Sequence, residues 1–456
     1  MPNLRFLLAL LGAKLTGKLI RLLGRNGSHT PGVVALKICP NFMDLAPRAP
    51  LVICVTGTNG KTTVSNMLAD ALECTGRRVV SNRSGSNIVP GCVTNLINSL
   101  DWMGKCRVDA TVFETDERAS RLILPHLKPD YMIVTNLTRD TLKRNAHTDY
   151  IFSVIDTYCP ETVKLILNAD DLCSSQMRPG NQRVFFGIGP QPGDRTEVYN
   201  LIADNTLCPK CATKMAYEYL RYNHIGRAKC PGCGFSSHDA DYLATVIDRE
   251  GRKITATVGG QEYTYGLISE MTHNVYNQMA ILALLDQIGT DQETIKKVFD
   301  TIHLPDIRFN ETKVGDLSLV MSMGKGQNSV SVSRNFDFVA NEPEDKTVIL
   351  DMDDPFDRKK SVEYMGWIWD VEYEQLCRDN IKQVLITGPR CYDHKARLLL
   401  AGFPEEKILC VMDEMEAMEQ VKLDGVEKVY LIFDCTTLDL ANRMKAKLLG
   451  IMEGKK

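Results

Sequence analysis

Short apolar runs closed by polar or glycine-rich turns recur along this chain, and many alternate with stretches in which apolar residues return every three or four positions. The runs have the character of buried strands and the stretches that of amphipathic helices. Leu51 to Val55 is such a run, followed by a glycine-rich turn and a helical pattern over Val64 to Cys74. Ala110 to Phe113, Tyr131 to Thr135 and Val163 to Leu167 are further expected strands, and Asn274 to Ile288 an expected helix. The rhythm resumes with Thr347 to Leu350, Gln383 to Thr387, a helix from Tyr392 to Ala401, Lys407 to Val411, Val429 to Phe433 and a final helix. Such alternation predicts an α/β fold with mainly parallel sheets. Between about Glu197 and Gly266 the texture changes to paired cysteines, aromatics and alternating strands such as Tyr242 to Val246 and Ile254 to Val258, which reads as an insertion.

The N-terminus has its own pattern. The apolar stretch Phe6 to Ala13 is followed by Lys14, Lys18, Arg21 and Arg25, and it is too short to cross about 30 Å of hydrocarbon. Drawn as a helix, it gathers Leu7, Leu8, Leu11, Leu15, Leu19 and Leu22 on one face, with basic residues flanking them. The expected role of that face is docking on the chain's own core; the alternative is peripheral contact with a membrane surface.

At 456 residues the chain exceeds the roughly 100–200 residues that one domain usually holds. The expected division is an N-terminal basic helix and lead-in over 1–49, a central domain over 50–303 with its insertion at about 197–266, and a smaller α/β domain over 304–456. Fifty-four basic against 57 acidic residues leave a net charge of −3, which excludes an overall field for nucleic acid. Fifteen cysteines in a long chain without a convincing export signal point to a reducing, cytoplasmic setting.

The sharpest chemical signal is Val55-Thr56-Gly57-Thr58-Asn59-Gly60-Lys61-Thr62-Thr63 between an expected strand and helix. Glycines let backbone N–H groups close around phosphate oxygens, and the helix N-terminus adds its positive end. Lys61 supplies a charge, and the Thr62 hydroxyl is a hard oxygen ligand for Mg²⁺. The run is a variant of the P-loop, with Val55 where the strict pattern has glycine. Glu114 follows a strand, where open α/β sheets place ligands, and could hold Mg²⁺ beside the phosphates. Further polar strand ends, Thr135-Asn136 and Asn168-Ala169-Asp170-Asp171, describe one crevice. A second signal is Cys208-Pro209-Lys210-Cys211 with Cys230-Pro231-Gly232-Cys233, two pairs separated by eighteen residues. Four thiolates at that spacing suit a closed, structural Zn²⁺ site.

Together with His273-Asn274-Val275-Tyr276-Asn277, the nucleotide motifs resemble the central domain of Mur ligases, which form amide bonds through an acyl phosphate. The resemblance implies that Gly57, Thr58, Asn59, Gly60, Lys61, Thr62 and Thr63 bind the triphosphate of ATP, that Thr62 and Glu114 serve Mg²⁺, and that Asp171, Asn274 and Asn277 lie near the adenosine. The inserted cysteine pairs, the basic N-terminus, Pro31-Gly32, Ser81-Asn82-Arg83, Arg139-Asp140, Trp367-Ile368-Trp369-Asp370 and Arg397 narrow it. They are similar to the MurT-type subunits of lipid II isoglutaminyl synthase. That family implies a Mur-ligase-like core with an inserted four-cysteine zinc ribbon and a smaller, Rossmann-like C-terminal domain that contacts a class I glutamine amidotransferase, a GatD-like glutaminase. Its substrate is lipid II, whose D-glutamate α-carboxyl is amidated with ammonia from that partner. No cysteine here sits in a recognisable glutaminase nucleophile motif, so the ammonia must come from elsewhere.

In that family a C-terminal aspartate completes the partner's Cys-His pair. Asp357 matches its position best and Asp354 next, within Asp351-Met352-Asp353-Asp354-Pro355-Phe356-Asp357-Arg358. The surrounding residues depart from the family pattern, as do Met323 to Asn328 and Phe433-Asp434-Cys435. Two alternatives therefore stay open: a Mur-like or folylpolyglutamate-synthetase-like ligase that joins an amino acid to a carboxylate, and a non-catalytic ATP- and zinc-binding scaffold.

Overall fold

A computed structural model of the chain describes residues 3–83, 86–139, 147–302, 309–324, 327–352 and 365–454. The chain divides into two compact units. The first comprises Met1–Thr138, Thr148–Val198 and Ala203–Leu304, and the second Arg139–His147, Tyr199–Ile202 and Pro305–Lys456.

The first unit is built on a nine-stranded sheet. Its strands are β1 (Leu51–Thr56), β2 (Val79–Ser81), β3 (Ala110–Glu114), β4 (Tyr131–Val134), β5 (Lys164–Asn168), β6 (Arg183–Ile188), β9 (Tyr242–Asp248), β10 (Lys253–Val258) and β11 (Gln261–Gly266). Their order is β2-β3-β1-β4-β5-β6-β9-β10-β11. Pairing is parallel from β2 to β9 and antiparallel through β9, β10 and β11. Val52 to Thr56 are all buried, as befits a parallel strand covered by helices on both faces.

The helices of this unit are α1 (Leu4–Leu22), α2 (Thr30–Ile38), the single turn α3 (Phe42–Leu45), α4 (Lys61–Cys74), α5 (Val89–Ser99), α6 (Ser120–Leu127), α7 (Thr148–Tyr158), α8 (Thr272–Gln287) and α9 (Gln292–Thr301). Ile53, Val55, Val64 and Leu68 share one core with Met279 and Leu282 of α8. Because β3 and β4 flank β1 on opposite sides, the connections leave β1 in two directions and open a crevice at the strand carboxyl ends.

Two expectations about this unit change. The strands of 242–266, grouped by pattern with the cysteine pairs, extend the main sheet instead: Phe186 to Ile188 pair with Tyr242 to Ala244. Among the described residues only the hairpin of β7 (Ala216–Tyr222) and β8 (Ile225–Lys229) stands as a separate two-stranded sheet. The helix α1 does dock, but not by the expected leucine face, of which only Leu7 packs in part against the core. Phe6, Ala9, Leu10, Ala13 and Gly17 form its buried side, and a Cβ on Gly17 would lie 3.4 Å from the Pro31 ring. Small residues let α1 approach α2 closely, whereas a leucine face would hold it away.

The second unit carries β12 (Phe309–Val314), β13 (Leu317–Gly324), β14 (Lys346–Asp351), β15 (Ile381–Thr387), β16 (Ile408–Val411) and β17 (Lys428–Asp434) in the order β12-β13-β17-β14-β15-β16. All pairs are parallel except β12 on β13. Helix α10 (Ser329–Asn341) contributes Phe336 to a core with Tyr373, Ile386 and Tyr430.

Gly32 shows how tightly the N-terminal layer is packed. A Cβ there would fall 1.8 Å from the Pro90 carbonyl oxygen, and the Gly32 amide donates to Thr94 Oγ1 at 2.9 Å. Gly32→Ala must push α2 from α5 and is expected to cost ~3 kcal/mol, an overpacking penalty. Urea unfolding checks this: the midpoint should fall at unchanged slope, and an unaltered midpoint would contradict the packing account.

Candidate active site

The turn between β1 and α4 is stitched to the end of β4. The Thr58 amide donates to Asn136 O at 2.8 Å, and the Thr58 hydroxyl donates to Thr138 O at 2.9 Å. Thr135 Oγ1 and Asn136 Nδ2 both donate to the Asn59 carbonyl, at 2.6 and 3.0 Å. Gly57 has φ +125°, and a Cβ there would lie 2.3 Å from Thr135 Oγ1. Gly60 has φ +86°, and a Cβ there would meet Asn277 Oδ1 at 2.6 Å. Both positions therefore require glycine, for conformation and for space.

Lys61 opens α4, and its side chain curls back over the turn. Its ammonium donates to the carbonyls of Gly57 and Thr58 and to Glu117 Oε1, the last at 2.6 Å. Both members of this ion pair are buried. Glu114, at the end of β3, is paired in register with Val55. Its side chain accepts from Asn87 Nδ2 at 3.1 Å, and Asn82 binds its backbone on both sides. Thr62 is partly exposed on the first turn of α4, and Thr63 beside it is buried. Oxygen ligands from Thr62 and Glu114 have the hardness that Mg²⁺ prefers, and the cradle of Gly57 and Gly60 leaves backbone amides uncovered by any Cβ.

Asn274 and Asn277 lie one turn apart on α8, joined by a bond of 3.1 Å from Asn277 Nδ2 to Asn274 Oδ1. Gly60 brings Asn277 to the nucleotide turn. Asp171 is placed differently. Its carboxylate is fully buried and accepts from the Leu137 amide at 2.6 Å and the Cys173 amide at 3.0 Å, and it faces His224 Nε2 at 3.2 Å. Burial acts to raise its pKa, but the hydrogen bond and charge of His224 and the amide bonds outweigh it, so the carboxyl sits below its ordinary value. With its oxygens so committed, Asp171 holds the end of β4 in position. Asp354 and Asp357 lie outside the described residues.

Cys208, Cys211, Cys230 and Cys233 converge beside the β7–β8 hairpin, with all four sulfur atoms within 4.8 Å of one another. The Sγ separations are 3.6 Å for Cys208 to Cys233 and 3.4 Å for Cys211 to Cys230, near the ~3.8 Å edge of a tetrahedron with metal–sulfur bonds of ~2.3 Å and far from a disulfide. Hydrogen bonding to Thr213 holds the Cys211 thiol down at about 6, which favours the thiolate that binds metal.

Residues 55–197 match the family model of the Mur ligase middle domain, and residues 326–438 match that of the MurT ligase C-terminal domain. The chain is 26% identical over 443 residues to the MurT subunit of the glutamine-hydrolysing lipid II isoglutaminyl synthase of Streptococcus pneumoniae, covering 96% of both chains. It is also 26% identical over 393 residues to that subunit from Staphylococcus aureus, covering 85% of this chain and 86% of the relative. The chain thus carries a Mur ligase middle domain and a MurT-type C-terminal domain and is similar to MurT subunits over nearly its whole length. It is an ATP-dependent carbon–nitrogen ligase of the group that serves peptidoglycan biosynthesis. Its fold matches the pseudomurein peptide ligase type C of Methanothermus fervidus at TM-score 0.69, with 15% identity, over 90% of this chain and 81% of the other. MurF from Acinetobacter baumannii aligns at TM-score 0.62, with 16% identity, over 91% and 80%.

Two groups in this Mur ligase escape the sequence reading. Glu117 lies in the same acidic run as Glu114, and nothing in the run distinguishes which acid turns toward Lys61. Asp170 gathers Tyr276 Oη at 2.6 Å, Tyr219 Oη at 3.1 Å and Arg221 at 3.5 Å. Burial pushes its carboxyl up, opposed by the Arg221 guanidinium. The cluster ties the hairpin to the end of β5, and no spacing rule links these four residues.

A triphosphate that took the Lys61 ammonium would have to displace Glu117. Glu117→Gln is therefore expected to lower the stability of the nucleotide-free protein by ~3 kcal/mol, since it breaks a buried pair, while enlarging the thermal shift produced by ATP. An unchanged shift would show that the pair does not oppose binding.

Proposed function

We propose that the enzyme amidates the D-glutamate α-carboxyl of the lipid II stem peptide through an acyl phosphate, using ammonia released by a separate glutaminase. The observation that supports this most is the closed glycine turn with its buried lysine at the carboxyl edge of the sheet, in a chain similar throughout to subunits named for glutamine-hydrolysing lipid II isoglutaminyl synthase.

A carboxylate is a poor electrophile until one of its oxygens becomes a leaving group. In the proposed first step a carboxylate oxygen attacks the terminal phosphorus of ATP, the bond to the bridging oxygen breaks, and ADP departs with that electron pair. In the second step the ammonia lone pair attacks the acyl carbon, phosphate leaves with the carbon–oxygen pair, and nitrogen loses a proton. Gly57 to Thr63 enclose the triphosphate with the backbone amides of the turn that Asn136 does not already take from Thr58 and Asn59, and Lys61 leaves Glu117 to offset the charge that builds on the transferred group. Mg²⁺, held by Thr62 and Glu114, would screen the phosphate oxygens from the incoming anion. Asn274 and Asn277 face the adenosine side of the turn, and Asp171 acts as a positioning residue rather than a nucleotide contact. In the second unit Asp357, or failing it Asp354, completes the catalytic pair of a GatD-like class I glutamine amidotransferase by orienting its imidazole. The four cysteines hold a structural Zn²⁺.

Phosphate release and amide formation from lipid II, ATP and either glutamine with the glutaminase or free ammonia test the reading. Lys61→Ala should lower both by about 10²-fold or more, and turnover with an amino acid but never with ammonia would contradict it. Asp357→Asn should reduce glutamine-driven turnover well below turnover with free ammonia; equal losses would remove Asp357 from the triad. Cys208→Ser should abolish bound zinc and lower the unfolding temperature, because metal affinity at a structural site is part of the folding free energy. Unchanged stability with full metal content would refute the zinc assignment.

A further inference from the structure

The face that α1 turns away from the protein is made of leucines. Leu4, Leu8, Leu11, Leu15, Leu19 and Leu22 recur every three or four residues and are 39–84% exposed, on the side opposite Phe6, Ala9 and Ala13. Exposed leucines scattered singly would need no explanation, but an unbroken helical stripe of six does. Among the described residues no helix is long and apolar enough to cross a membrane.

One flank of this stripe is cationic. Lys14, Lys18 and Arg21 follow one another along it and line a cleft of about 170 Å³ together with Trp102 and Asn98. The Lys18 ammonium lies 4.7 Å, and that of Lys14 5.6 Å, from the centre of the Trp102 ring. Trp102 and Met103 are themselves exposed and continue the apolar surface beyond the helix. The acid beside them, Asp101, is paired with Arg107 at 2.7 Å. The first 43 residues hold six basic residues and no acidic one, leaving 48 basic against 57 acidic residues in the remainder. The occupant of this face must therefore be apolar along one line and anionic beside it. A second copy of the helix would set cations against cations with no acid to receive them.

We propose that this face docks on the surface of an anionic phospholipid bilayer, with the leucines at the acyl boundary and the exposed Lys18 and Arg21 against headgroup phosphates, while the Lys14 ammonium donates to the Leu100 carbonyl at 2.7 Å. An interfacial helix needs this division of apolar and basic sides, and tryptophan is favoured at the same depth. The inference does not rest on the reading of the nucleotide site. Sedimentation of the full chain with vesicles tests it, using phosphatidylcholine alone or mixed with phosphatidylglycerol. The wild-type chain is expected to partition onto the mixed vesicles and to be released by salt. Leu15→Glu with Leu19→Glu should reduce partitioning by more than about tenfold, and Lys18→Glu or Arg21→Glu by about fivefold or more each. Nucleotide retention and elution volume should stay unchanged, because these side chains lie at the surface. Absence of binding to the mixed vesicles, equal binding by the leucine variant, or a dimer that the leucine variant dissolves while vesicle binding persists would each overturn the proposal.

Discussion

The ammonium of Lys61 is the point on which the crevice depends. It is buried, so its charge must be met within the protein, and the nucleotide-free chain meets it with Glu117 and two carbonyls of its own turn. That solution closes the turn on itself and fixes the first residues of α4. The same charge is what a triphosphate would seek. A buried cation is costly to strand, so on the proposed reading the phosphates must replace Glu117 as the partner of Lys61.

The rest of the first unit holds that turn still. Thr135, Asn136 and Thr138 bind the turn from the next strand. Asp171 fixes Leu137 from the strand after that, and His224 of the inserted hairpin backs Asp171 in turn. The Gly226 amide donates to the Asp170 carbonyl at 2.8 Å. The segment bearing the four cysteines is thus anchored on the same strand end that supports the nucleotide turn. Order in the thiol cluster and order in the crevice share a set of buried hydrogen bonds.

Much of this was legible in the sequence where the signal is local. The strand, glycine turn and helix of residues 51–74 announce themselves because glycine conformation and apolar period are short-range properties. The cysteine pairs do so because metal ligation fixes spacing. What the sequence concealed is long-range. Leucine content alone suggested the wrong buried face for α1, since close packing on α2 selects small residues over large ones. Strands β9 to β11 looked like part of an insertion because alternating burial marks any antiparallel edge, and only pairing with β6 shows which sheet they join. Glu117 and the Asp170 cluster depend on which side chains the fold brings together, which no spacing reveals.

The central claim is that a carboxylate oxygen is phosphorylated before nitrogen arrives. The most direct measurement is to label the α-carboxyl of the lipid II glutamate with ¹⁸O, run a single turnover with ATP and ammonia, and examine the released phosphate by mass spectrometry. Transfer of labelled oxygen into phosphate is the predicted result. Unlabelled phosphate, formed alongside the amide, would contradict the account.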